Sequence, residues 1–96
     1  MKADAVLNEL ETLAKGAGAN VSYESLRSSY GIGGLCRVKG QYRIIIEKRA
    51  GTNERIAAMA TALAELDLGD VTTSKPVGEL LALYRTRSRA NVRHAS

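Results

Sequence analysis

The sequence predicts an α+β domain: a small three-stranded antiparallel sheet packed with two or three helices. Three observations lead there. Apolar residues recur at three- and four-residue spacing in two separated stretches, near the start of the chain and over Ile56 to Leu66. Between them lie short segments of two-residue period. The stretch Lys39-Gly40-Gln41, set between two such segments, reads as a tight hairpin turn in which Gly40 can take positive φ.

The first helix is read from Ala3 to Lys15. Val6, Leu10, Leu13 and Ala14 share one side, while Asn8, Glu9, Glu11, Thr12 and Lys15 take the other. Asp4 suits the positive helix start, and Gly16 or Gly18 can supply a left-handed residue that ends it. Asn20-Val21-Ser22-Tyr23-Glu24 alternates as a half-buried strand does. Ser25 to Gly34 is rich in Ser and Gly and reads as a loop, or as a short helical turn leading to one.

In the next strand Cys36 and Val38 fall on one face and Arg37 and Lys39 on the other. Beyond the turn, Tyr42, Ile44 and Ile46 point one way and Arg43, Ile45 and Glu47 the other. Three consecutive isoleucines make this strand apolar on both faces, which places it in the middle of the sheet. Thr52 or Asn53 can cap the following helix, whose Ile56, Met59, Leu63 and Leu66 form an apolar stripe with Ala60 allowing close approach. After Asp67-Leu68-Gly69-Asp70, the residues Val77, Leu80, Leu81 and Tyr84 mark a last short helix with Pro76 in its first turn. The expected division is one domain over 1–84 and a basic, flexible tail over 85–96.

The 96 residues carry a net charge of +4, unevenly placed. All ten acids and ten of the fourteen Lys and Arg lie before residue 80 and cancel, so the excess belongs to Arg85, Arg87, Arg89 and Arg93. These four could neutralise a few phosphates in weak, sequence-independent contact with nucleic acid, although the domain itself offers no basic excess. The core has no Phe or Trp and must be built from small aliphatic contacts. No segment approaches the ~18 apolar residues of a membrane span, and no apolar leader follows Met1, so a cytoplasmic protein without a membrane partner is expected.

Reactive groups are sparse. The single cysteine, Cys36, excludes an internal disulfide, and the one histidine, His94, stands near the far end of the chain. They make neither a thiol–base pair nor a zinc set, so Cys36 reads as a small buried apolar residue. Gly31-Ile32-Gly33-Gly34 is followed by a strand, whereas phosphate loops open a helix. Asp67 and Asp70 lack the spacing of a calcium loop and read as turn formers. Glu47, Glu54 and Glu65 would support acid–base or metal-assisted hydrolysis only if two of them met in a cleft. No catalytic, cofactor or metal residues are assigned, and the balance of the residues is against an enzyme.

Val21-Ser22-Tyr23-Glu24, Gly33-Gly34-Leu35-Cys36-Arg37, Tyr42 to Lys48 and Ala62 to Leu68 together resemble a group of small uncharacterised bacterial proteins. That group shares a tyrosine-bearing strand, a Gly-Gly-Leu-Cys-Arg hairpin arm, an apolar partner strand and an amphipathic helix. The resemblance covers about three quarters of the chain and implies no activity. More distantly, the order of strand, hairpin and helix resembles the core of ImmA/IrrE-type zinc peptidases, whose helix bears Ala-His-Glu-Leu-Gly-His. Laid on Ala60-Thr61-Ala62-Leu63-Ala64-Glu65, that motif finds Thr61 and Glu65 in place of histidines and Ala62 in place of the glutamate. The resemblance therefore implies a chain that has lost zinc and its base.

The expected function is a non-catalytic protein-interaction or scaffold module. Its partner is another protein or a second copy in a homodimer, met through Ile56, Met59, Leu63 and Leu66. The alternatives are nucleic-acid binding through the arginines and, after that, a small carboxylate- or metal-dependent hydrolase.

Overall fold

The computed structural model describes residues 1–26 and 33–95, with side chains beyond residue 87 outside the description. The elements are α1 (Ala3–Gly16), β1 (Asn20–Glu24), β2 (Gly33–Val38), β3 (Gln41–Glu47), α2 (Thr52–Ala64) and α3 (Lys75–Ala95). The fold is α+β, as its two periodicities require.

The sheet has the order β1-β3-β2, which puts the isoleucine strand in the centre. β2 and β3 form the expected antiparallel hairpin, with Val38 opposite Gln41 and Leu35 opposite Ile44. Lys39 and Gly40 both have positive φ, 52° and 80°. This is the requirement of a two-residue turn whose twist matches the strands. The expectation of a purely antiparallel sheet is corrected: β1 runs parallel to β3, with Val21 beside Ile44 and Tyr23 beside Ile46. Alternation within β1 fixes which side chains face the core and carries no information on direction.

α2 packs on β2 and β3, α1 packs on β1 and α2, and α3 packs on α1 and α2. Ile44 and Ile46 are fully buried, in one cluster with Leu10 and Ala14 of α1, Met59 and Leu63 of α2, and Val77 and Leu81 of α3. Each such fully buried aliphatic contributes about 1.5–3 kcal/mol relative to exposure. The buried stripe of α1 is Leu7, Leu10 and Ala14. Val6 and Leu13, expected in it, are only half-buried at its margins.

Local signals agree with the expectation at the end of α1 and differ from it at two other helix ends. Gly18, at φ 83°, takes the left-handed conformation after α1. The cap of α2 is Gly51 rather than Thr52 or Asn53, and Glu54 Oε1 accepts the Gly51 N–H at 3.0 Å in place of a capping hydroxyl. The last helix does not stop near Tyr84 but crosses residue 85 without a break and runs 21 residues to Ala95. It is amphipathic and arginine-bearing, and no helix among the described residues is long and apolar enough to cross a membrane.

Candidate functional site

The residues expected to meet a partner through α2 are the core of the domain. Met59 and Leu63 are fully buried, Leu66 is 7% exposed, and Ile56 is half-buried against the same cluster. Their stripe is already satisfied by the sheet, α1 and α3, so a partner would have to take another surface.

The other side of the sheet carries no helix among the described residues. Because successive strand residues point to opposite faces, the register places Arg43, Ile45 and Glu47 of β3 on the side away from the helices. Asn20, Ser22 and Glu24 of β1 join them on one flank, and Gly34, Cys36 and Val38 of β2 on the other. Ile45 and Cys36 are half-buried and Val38 is 43% exposed. The expectation of Cys36 as a buried residue is thus corrected: its strand partner is Arg43, on the face without helices. Gly34 supplies no side chain beside Ile45, which leaves a hollow of about 430 Å³ lined by Leu26, Gly33, Gly34, Leu35, Cys36 and Ile45.

Charge on this face is ordered by contacts. Arg43 Nη2 lies 3.8 Å from Glu24 Oε2, and Ser22 Oγ donates to the same carboxylate oxygen at 2.8 Å. Glu47 Oε2 accepts the Leu26 N–H at 2.5 Å, and its Oε1 accepts the Arg49 N–H at 3.4 Å. A carboxylate has about four acceptor positions. Glu47 is therefore oriented by the backbone and keeps acceptor capacity toward the open side.

On the covered side a second polar cluster joins α1, β1, α2 and the loop between β3 and α2. Tyr23 Oη donates to Glu11 Oε2 at 2.5 Å, tying β1 to α1. The Arg55 guanidinium stacks over the Tyr23 ring, 4.6 Å from its centroid. Its Nε donates to Ala50 O at 3.0 Å and its Nη2 to Lys48 O at 2.9 Å. Burial, followed by the hydrogen bond and negative charge of Glu11, pushes the Tyr23 phenol up to about 12. Every polar group in this cluster has an internal partner, so it is a clamp between elements rather than a reactive centre.

The other candidate groups are dispersed. Glu54 and Glu65 stand at opposite ends of α2, eleven residues and roughly 16 Å apart along its axis, and Glu47 and Glu54 each hold a backbone N–H. Asp67 Oδ1 accepts the Gly69 N–H at 2.9 Å, the turn-forming role expected of it. Thr61 and Glu65, which stand in for the histidines of the zinc motif, are exposed, while Ala62 lies in the core. Gly33 and Gly34 open β2, and Gly31 and Ile32 lie outside the described residues. Among the described residues no three His, Cys, Asp or Glu gather as a metal site.

Of the arginines, Arg85 is half-buried and Arg87 is exposed, with its guanidinium 5.3 Å from the Tyr84 ring. The side chains of Arg89, Arg93 and His94 lie outside the described residues.

Sequence reasoning found the residues of the uncovered face but not its vacancy. The alternation Arg43, Ile45, Glu47 opposite Ile44 and Ile46 was the available signal. The all-apolar run concealed it, since Ile45 alone looks as buried as its neighbours. No family model, curated protein or solved structure matches the chain.

Proposed function

We propose that the protein is a non-catalytic interaction module whose contact surface is the helix-free face of the sheet, centred on Ile45. The supporting observation is the one-sided packing. The helical layer buries Ile44 and Ile46, with α2 directly on β3, while Ile45, Cys36, Val38 and the adjoining hollow are left uncovered among the described residues. Half-buried apolar groups rimmed by Arg43, Glu24 and Glu47 have the make-up of a protein contact, apolar in the centre and polar at the margin. A cytoplasmic setting, which keeps Cys36 reduced, accords with this use.

Cys36 provides the test. A thiol-anchored crosslinker attached to it in cells that make the protein should yield a protein–protein adduct. The same reagent on a Cys36→Ser, Thr61→Cys variant reports the exposed back of α2 and should not. Adducts only through position 61, or through neither position, would remove the reading.

A second reading is supported by the length of α3. A continuous helix through Ala95 spaces the backbone positions of Arg85, Arg89 and Arg93 at four-residue intervals, roughly 6 Å apart along the axis. Such a series suits weak, salt-sensitive contact with a nucleic-acid backbone. Removal of residues 85–96 should then abolish a low-salt mobility shift, and an unchanged shift would exclude the arginines from it.

A further inference from the structure

The face described above has a pattern that names its occupant. Along β3 it presents Arg43, Ile45 and Glu47 in that order, a cation, an apolar side chain and an anion, each about 6.7 Å from the next. Reversing the strand turns this series into its own complement. A two-fold axis lying across the strands at Ile45 sets Ile45 on Ile45 and brings the Arg43 of each copy opposite the Glu47 of the other. The same axis sets Ser22 of β1 opposite Ser22, and Glu24 opposite Asn20, with no like charges in register.

Resting on the interaction reading, we propose that the partner is a second copy of this chain, packed bare face to bare face with the two β3 strands antiparallel. Two sheets stacked in this way lie about 10 Å apart with interdigitating side chains, and the same axis sets Gly34 of each copy opposite Gly34, so no side chains collide beside the paired Ile45 residues. Arg43 would then stand between two carboxylates, Glu24 of its own chain at 3.8 Å and Glu47 of the other. Glu47 is preset for this by the Leu26 and Arg49 N–H groups that fix its orientation. An isologous contact of this kind needs one surface that complements itself, which is the property the Arg-Ile-Glu series supplies.

The contact is small. Three strands of five to seven residues give a footprint on the order of 250 Å² per copy from strand spacing and rise, well under the roughly 800 Å² per partner of a standard stable interface. The pairing is therefore weak, with dissociation in the range of about 0.1–1 mM, and charge complementarity decides whether it forms at all.

Sedimentation velocity on the full chain tests this between about 20 µM and about 1 mM. The average mass should climb from 10.3 kDa toward twice that value. Arg43→Glu or Glu47→Arg alone should weaken association at least about tenfold by setting like charges together. An equimolar mixture of the two variants should recover it, and so should the double variant. Ile45→Glu should abolish it. Circular dichroism checks each fold; should Glu47→Arg unfold through loss of its backbone contacts, Arg43→Glu and the weakening of wild-type pairing by salt decide the matter. Association unchanged by both Arg43→Glu and Ile45→Glu would overturn the proposal. A wild-type monomer at the highest concentration overturns the self-pairing in either of two ways. If Cys36 still crosslinks to a different protein in cells, the interaction reading survives; if it does not, both fall.

Discussion

The two faces of the sheet use the same strand to opposite ends. On one, Ile44 and Ile46 are sealed in the core beneath the helices, with α2 directly on β3. On the other, Ile45, lying between them in sequence, is only half-buried beside a hollow. Adjacent residues of identical chemistry thus differ in what removes them from water. The covered face is where the buried core of the domain lies, and the other face carries no helix among the described residues.

The largest effect should come from separating these neighbours. Ile46→Ala opens a cavity in the packed core and should cost about 3 kcal/mol, while Ile45→Ala should cost under about 1 kcal/mol at dilution. Chemical denaturation of both variants measures the difference. Equal losses would mean that both faces are sealed and would end the contrast drawn here.

A smaller loss tests the edge of the bare face. Gly33 has φ 157°, and a Cβ there would press against the Ile45 carbonyl oxygen and lie 3.0 Å from Ile46 Cα. Gly33→Ala should cost on the order of 2 kcal/mol by displacing β2 from β3. Gly34→Ala, with open space around it, should cost far less while partly filling the hollow. Thermal melts of the pair would show whether the close approach of β2 to β3 depends on the first glycine alone.

The smallest effect belongs to the covered face and depends on pH. Tyr23→Phe removes the hydrogen bond to Glu11 from a half-buried site and should cost about 1 kcal/mol at neutral pH. The Tyr23 phenol is raised from 10.0 to about 12. Below pH 10 folded and unfolded chains both keep this proton, and its stabilising effect is complete. Between pH 10 and 12 the unfolded chain releases it first, so stability falls as pH rises. Denaturation across that window should show a steeper loss for the wild type than for Tyr23→Phe, and tyrosinate absorption should reveal one phenol titrating late. Parallel curves would mean that the clamp is not closed.

Much of the core was legible because periodicity reports burial directly: Leu10, Met59, Leu63, Val77 and Leu81 all stand where the spacing placed them. The central position of β3 was legible from Ile44-Ile45-Ile46. The direction of β1 was not legible. The eight residues from 25 to 32 can reach about 28 Å when extended, enough to join β1 to β2 from either end of a sheet whose β1 is five residues long, so neither spacing nor loop length distinguishes a parallel from an antiparallel β1. What covers Ile56, Met59, Leu63 and Leu66 was not legible for a different reason. Spacing identifies an apolar stripe on α2 but cannot say whether a partner or the chain's own sheet covers it. The number of helices on each side of the sheet decides that, and it is a property of the assembled fold.

The parallel docking of β1 also sets the order in which the domain can assemble. The hairpin closes across two turn residues, whereas Val21 reaches Ile44 only after a separation of more than twenty positions. Short closures precede long ones because they sacrifice less chain freedom. Docking of β1 is therefore expected to follow closure of the hairpin, and a chain in which β1 has come away leaves that flank of β3 as an unzipped seam.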